Sequence, residues 1–95
     1  MKYYKEKAFL LNMPSVIIED LLTYDFWNDT EKMIVKNMFG NTNDRKSINY
    51  MITNGILNYE KTQAHLHYRN ALLKLHNFLK KTKNPMYKRL YKVII

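Results

Sequence analysis

The chain has no cysteine, two glycines and two prolines. Without thiols it can form neither disulfides nor thiolate metal sites, and a reducing setting such as a cytoplasm is expected. So little glycine and proline does not supply the turns of a β-sandwich. No apolar run approaches the roughly 18 residues of a spanning helix, so no membrane partner is expected. The run Ala8 to Leu11 is short for a signal peptide. No glycine-rich phosphate loop is present. Asp25, Asp29 and Glu31 have no paired histidine or nucleophile in a recognisable order, so no enzyme activity is expected. His65 and His67, two apart, point to different sides of a helix, and with His76 they form no expected metal site. No cofactor is expected.

The second half is also nearly devoid of acid. Residues 45–95 carry eleven Lys and Arg against a single acid, Glu60, whereas residues 1–44 carry five Lys against seven acids. The halves therefore have net charges of about +10 and −2 within a total of +8. A field this lopsided attracts a polyanion. By charge alone that polyanion is DNA, RNA, acidic protein or anionic lipid.

At 95 residues the chain fits one domain, 1–95, with one modest core. Six Met, eight Tyr and four Phe supply its bulk. Residues 1–12 read as a basic aromatic arm or a short first helix, in which Tyr3 and Tyr4 would either stack on bases or belong to an unstructured tail. Asn12-Met13-Pro14-Ser15 is a helix-start signal, with Asn or Ser as cap and Pro in the first turn. Val16, Ile17 and Leu21 then offer an apolar stripe, with Tyr24, Phe26 and Trp27 as core anchors around a bend. Asn28-Asp29-Thr30-Glu31 is a second start, for a helix running to Phe39 that Gly40 would end in the left-handed conformation. A short helix follows over about Lys46 to Asn54, with Ile48, Met51 and Ile52 on one face. Asn54-Gly55 is a turn dipeptide.

The clearest pattern is in the longest helix, about Thr62 to Lys81. There Ala64, Tyr68, Ala71, Leu72, Leu75, Phe78 and Leu79 recur at helical spacing. Pro85 disfavours helix at Asn84 and so closes this element. The tail, Tyr87 through Leu90, Tyr91, Val93, Ile94 and Ile95, reads as a last helix, an edge strand or a partner contact. The expected fold is all-α, a small bundle of four or five helices.

A loop, a short helix, a tight connection and a longer basic helix make a helix-turn-helix candidate. The side away from the apolar stripe presents Lys61, Thr62, His65, Leu66 and Arg69, and further along Asn70 and Lys74. Gln63 lies on the flank. Lys and Arg suit phosphate or guanine, and Thr and Gln suit base edges. Lys80, Lys81 and Lys83 read as a charged helix end that the dipole favours.

The stretch from Asp29-Thr30-Glu31-Lys32-Met33-Ile34-Val35 to Asn70-Ala71-Leu72-Leu73-Lys74-Leu75 resembles the promoter-reading region 4 of sigma factors. It is similar as well to the small phage transcriptional activators of the RinA and ArpU type. Leu57, Asn58, Tyr59 and the run Ala71-Leu72-Leu73-Lys74-Leu75 carry the likeness, which spans about residues 28–79. The resemblance implies base reading at Lys61, Thr62, Gln63, His65 and Leu66, and phosphate contacts near Lys46 and Arg69. Lys74 is expected to add to the phosphate contacts.

The function expected is that of a sequence-specific regulator of transcription that binds double-stranded DNA, encoded by a phage or mobile element. A lone domain this small buries limited DNA area, so it would dimerise through Val16–Leu22 or the tail, or lean on RNA polymerase or another host protein. A rival is a small helical module that grips a host protein, favoured by Leu66 and the apolar tail. An RNA-binding protein is a third reading.

Overall fold

The computed structural model describes residues 3–94. Among these the chain forms six helices and no strand, one helix more than the expected upper number. They are α1 (Tyr4–Asn12), α2 (Ser15–Leu22), α3 (Asp29–Phe39), α4 (Ile48–Thr53), α5 (Lys61–Lys81) and α6 (Pro85–Ile94). The whole measures 39 × 25 × 24 Å. Helix α5 has 21 residues and is the spine. Helices α1, α3, α4 and α6 pack on it, and α2 packs on α3.

The apolar spacing of α5 decides this arrangement. Ala64, Tyr68, Ala71, Leu72, Leu75 and Leu79 are buried, and Phe78 is half-buried. Around them lie Phe9 and Leu10 from α1, Ile18 and Leu21 from α2, Ile34, Val35 and Phe39 from α3, and Ile48 and Met51 from α4. Tyr87 of α6, also fully buried, joins the same cluster. Half-buried Phe26 and Phe78 stack at 5.2 Å, and the indole of Trp27 donates to the Leu21 carbonyl at 2.8 Å. Burying a large apolar side chain contributes roughly 1.5–3 kcal/mol, so this continuous cluster holds α5 in place against the entropy of ordering the chain.

The helix ends follow capping chemistry, with differences from the expected pattern. Asn28 caps α3: its side chain accepts from the Glu31 amide at 2.8 Å, and Glu31 returns a bond from the Asn28 amide at 2.8 Å. Pro14, not Asn12 or Ser15, takes the cap position of α2, while Asn12 donates back to the Ala8 carbonyl at 2.7 Å. Because α2 starts there, its core face is Ile18 and Leu21, with Ile17 half-buried and Val16 exposed. Ser47 caps α4, which is shorter than the sequence pattern suggests.

Gly40 is not left-handed. It stays in the right-handed region at φ −70°, and a Cβ there would lie 2.6 Å from the Lys36 carbonyl oxygen. The left-handed residue is Gly55, at φ +73°, which reverses the chain after α4. The turn is fastened by Ile56 and Leu57, whose amides both donate to the Met51 carbonyl at 2.8 and 3.1 Å.

The tail is a helix. Pro85 opens α6, because proline fits the first helical position, where its missing amide is not needed, whereas α5 ends earlier, at Lys81, with Thr82 already extended. Asn84 accepts from the Met86 amide at 2.9 Å and so caps α6. Helix α6 buries Tyr87 and half-buries Leu90 and Tyr91. Most of the expected apolar tail surface is thus core, and Val93 alone of its described side chains is strongly exposed. The side chain of Ile94, and Ile95 altogether, lie outside the described residues.

Two buried acids tie the bundle across long sequence separations. Glu6, 2% exposed, accepts from the Tyr91 hydroxyl at 2.7 Å and meets His76 Nδ1 at 3.3 Å. It thereby links α1, α5 and α6. Glu31, 1% exposed, receives Lys74 Nζ at 2.7 Å, which links α3 to α5. Asp20 of α2 accepts from the Tyr87 hydroxyl of α6.

A candidate nucleic-acid interface on α5

Glu60 sits at the cap position of α5 in extended backbone, and Ala64 N donates to its carbonyl at 2.9 Å. Gln63 Oε1 lies 3.4 Å from the Glu60 amide, so this side chain leans back along the helix start. Ahead of it Leu57 is buried and Tyr59 is held from two sides. The Tyr59 hydroxyl lies 3.2 Å from Thr30 Oγ1, and its ring lies 4.8 Å from that of His67. The first turns of α5 are therefore fixed by α3, α4 and the connection between α4 and α5.

That connection is longer than the sequence pattern suggests. It spans the seven residues 54–60, whereas the DNA-reading motif ordinarily uses a turn of about 3–4 residues. Gly55 accounts for the reversal and Leu57 for its anchoring, but the extra length places α4 and α5 at their own spacing.

Opposite the buried stripe, Lys61, Thr62, His65, Leu66 and Arg69 are all exposed. These five line one shallow depression of about 400 Å³. No part of the amino-terminal helices is among its walls. Leu66, 55% exposed, is a large apolar side chain among these polar neighbours. Among the described residues Lys61 and Arg69 form no ion pair, so both cations face solvent uncompensated.

The other three candidate residues are placed differently. Gln63 is exposed but outside the depression, leaning toward the Glu60 amide. Lys46 binds Asp44 at 2.7 Å and is half-buried against α3, where its amide donates to the Asn37 carbonyl at 3.0 Å. Lys74 is engaged with buried Glu31, the same carboxylate that caps α3. The structure thus gives Lys74 and Lys46 intramolecular partners, while Arg69 keeps its guanidinium free of any ion pair.

A second cationic surface is not evident from the sequence. Lys80 from the end of α5 and Lys88, Arg89 and Lys92 from α6 line one groove of about 660 Å³ together with Leu79, Pro85 and Tyr91. Its sequence signal is present but faint. Lys88, Arg89 and Lys92 sit at helical spacing opposite Tyr87, Leu90 and Tyr91, a pattern that shows only once the tail is known to be helical.

Hydroxyls in the interior are shifted by their surroundings. Burial pushes the Tyr68 hydroxyl up to about 12. Burial, with the bond to Glu6, does the same for Tyr91, also to about 12. Tyr68 Oη is buried without a hydrogen-bond partner. Among the described residues no group of three His, Asp or Glu converges as a metal site, and no helix is long and apolar enough to cross a membrane. Comparison with family models, with curated proteins and with solved structures finds no match.

Proposed function

We propose that the protein binds double-stranded DNA with sequence preference and regulates transcription, presenting the first three turns of α5 to the major groove. The observation that carries this reading is the open surface of Lys61, Thr62, His65, Leu66 and Arg69, backed by a buried stripe that keeps the helix rigid. An exposed helix of this kind fits the roughly 12 Å major groove. Thr62, His65 and Lys61 offer donors and acceptors to base edges, Leu66 suits a thymine methyl group, and Arg69 suits phosphate. Gln63 joins the base readers by exchanging its contact with the Glu60 amide for a base. The resemblance read from residues 28–79 to sigma region 4 and to the RinA and ArpU type implies the same role.

The test is a gel-shift series on random duplex, single-stranded DNA and RNA at two salt concentrations. Binding to duplex that weakens with salt and prefers some sequences supports the reading. Arg69→Ala should weaken all duplexes alike, whereas Lys61→Ala or Gln63→Ala should alter the order of preference. Preference for RNA over duplex would overturn it.

One observation favours a second reading, a module that grips a host protein. Leu66 stands 55% exposed in the lining of the depression, an apolar side chain of the kind that anchors a protein interface. That reading wins if Leu66→Ala abolishes a complex with a host protein while the α5 variants leave duplex affinity unchanged.

A further inference from the structure

We infer that the groove between the end of α5 and α6 is a second nucleic-acid contact, one that holds the phosphate backbone of duplex DNA without reading its bases. Lys80, Lys88, Arg89 and Lys92 converge on it from two helices. All four are exposed, and among the described residues none forms an ion pair. No acid occurs anywhere in the sequence after Glu60. The groove therefore presents four uncompensated cations with no internal anion to satisfy them.

Ordinary helix electrostatics accounts for only part of this placement. The macrodipole favours Lys80 and Lys81 in the last turn of α5 and Lys92 in the last turn of α6. It gives no reason for Lys88 in the first half of α6, nearer the positive helix end. That cation is disfavoured there unless an outside anion is bound.

The chemistry of the surface selects among anions. A bilayer-bound amphipathic helix sinks its apolar face into the lipid. Here that face, Tyr87 with Leu90 and Tyr91, is already packed on the protein's own core, and Tyr91 is bonded to buried Glu6. An acidic protein partner would be held by a central aromatic or aliphatic anchor. The apolar part of the groove's lining is Leu79, 3% exposed, with Pro85 and the half-buried ring of Tyr91, whose hydroxyl is already bonded to Glu6, so no side chain stands free as such an anchor. Four exposed cations with no acid between them suit an array of phosphates.

The groove is remote from the depression on α5. Lys61 and Lys80 are 19 residues apart on one helix, which is about 28 Å at the α-helical rise. The two surfaces cannot share one patch of major groove, so the α5–α6 groove meets flanking backbone. This inference rests on the proposed duplex binding for the identity of the polyanion.

The experiment is fluorescence anisotropy of the full chain with two labelled duplexes, one random and one selected for tightest binding, over a range of salt concentrations. The variant is Lys80→Gln, Lys88→Gln, Arg89→Gln and Lys92→Gln combined, with circular dichroism and Tm to verify folding. The slope of log affinity against log salt should become shallower by about 2 to 4 for both duplexes, at about 0.9 for each phosphate no longer neutralised. The ratio between the duplexes should be unchanged. A second variant, Thr62→Ala with His65→Ala, should lower that ratio and leave the slope alone. A folded groove variant with the wild-type slope overturns the inference and leaves the α5 reading intact. Loss of slope in the groove variant, with no ratio to lose in the wild type, upholds the groove and overturns base reading. If the wild type binds vesicles of equal parts phosphatidylcholine and phosphatidylserine but no duplex, both are overturned.

Discussion

Replacing Lys74 by methionine distinguishes two roles for one residue. Its Nζ lies 2.7 Å from Glu31 Oε1, and the same oxygen accepts the Asn28 amide at 2.8 Å. The carboxylate side chain is 2% exposed and the ammonium side chain 37%. Breaking a fully buried pair by removing one partner costs about 3–5 kcal/mol, whereas exposed pairs contribute about 0–1 kcal/mol. The pair here is buried on one side only. Glu31 also keeps a backbone amide and the favourable positive end of α3 once the ammonium is gone. A cost of about 1–2 kcal/mol follows for Lys74→Met, between those limits. In a domain of this size that lowers Tm by roughly 5–15 °C. Glu31→Gln retains an acceptor for the Asn28 amide and lets the ammonium turn to water, so it should cost less. The double variant should recover part of the loss, giving a coupling of about 1 kcal/mol in a thermal or urea double-mutant cycle. Duplex affinity, measured where all variants are folded, should change less for Lys74→Met than for Arg69→Ala. If instead Lys74→Met leaves Tm unmoved and weakens every duplex as strongly as Arg69→Ala, Lys74 is a phosphate contact and its bond to Glu31 is incidental.

Tyr68→Phe should raise stability by about 1 kcal/mol, because it removes a buried hydroxyl that has no partner and keeps the ring against Phe39. A fall in urea midpoint would mean that the hydroxyl has a partner after all. Stability should fall as pH rises from 10.0, the ordinary tyrosine value, toward about 12 for Tyr68 and Tyr91. Their folded values lie above the unfolded one, so the unfolded chain releases protons first and gains from each step of pH in that window. Tyrosinate absorbance and circular dichroism should change together there, and in Tyr68→Phe the loss should be smaller. Gly55→Ala should cost about 1–2 kcal/mol from backbone strain alone, since at φ +73° a Cβ meets nothing within 4 Å. An unchanged Tm would show that the turn relaxes.

What was legible in the sequence was whatever local spacing controls. The stripe from Ala64 to Leu79 is the buried face of α5, and its start was placed within one residue, because every turn repeats the same apolar signal. Asn28 and Glu31 form the cap of α3 for an equally local reason. Gly40 and Gly55 were harder, since either can end a helix and only the path of the following chain decides which must be left-handed. Helix α6 was ambiguous because ten residues make a marginal helix by themselves. It is stabilised by Tyr87 in the core and by Tyr91 on Glu6, a residue 85 positions away. The same distance effect hid the partner of Lys74, which lies 43 positions back. At the site, the openness of Lys61, Thr62, His65, Leu66 and Arg69 followed from the stripe, while the diversion of Lys46 and Lys74 did not. Charge of one sign is visible in a sequence, but whether an acid has been folded in beneath it is not.

The burial of acids sharpens the asymmetry that composition only suggests. Glu6 and Glu31 are folded inward, where Glu6 meets the His76 ring and the Tyr91 hydroxyl and Glu31 pairs with Lys74 and accepts the Asn28 amide. Asp44 is bound to Lys46, and Asp20 holds Tyr87. Of the other exposed acids, Glu19, Asp25 and Asp29 stand before or at the start of α3, and Glu60 stands at the cap of α5. The outer surfaces of α5 and α6 carry no acid, while Lys61, Arg69, Lys80, Lys81, Lys88, Arg89 and Lys92 are exposed. The exposed cations of α5 and α6 therefore bias the approach of a polyanion toward these two helices. Steering of this kind raises the association rate, and it fades as the Debye length falls from about 10 Å at 0.1 M salt to about 3 Å at 1 M. On the proposed function, sequence preference would come from contacts made after arrival. Salt should thus slow association with every duplex while leaving the order of preference among them in place. Stopped-flow association rates on the random and selected duplexes would show this, and an order of preference that reverses with salt would mean that the cations themselves read the sequence.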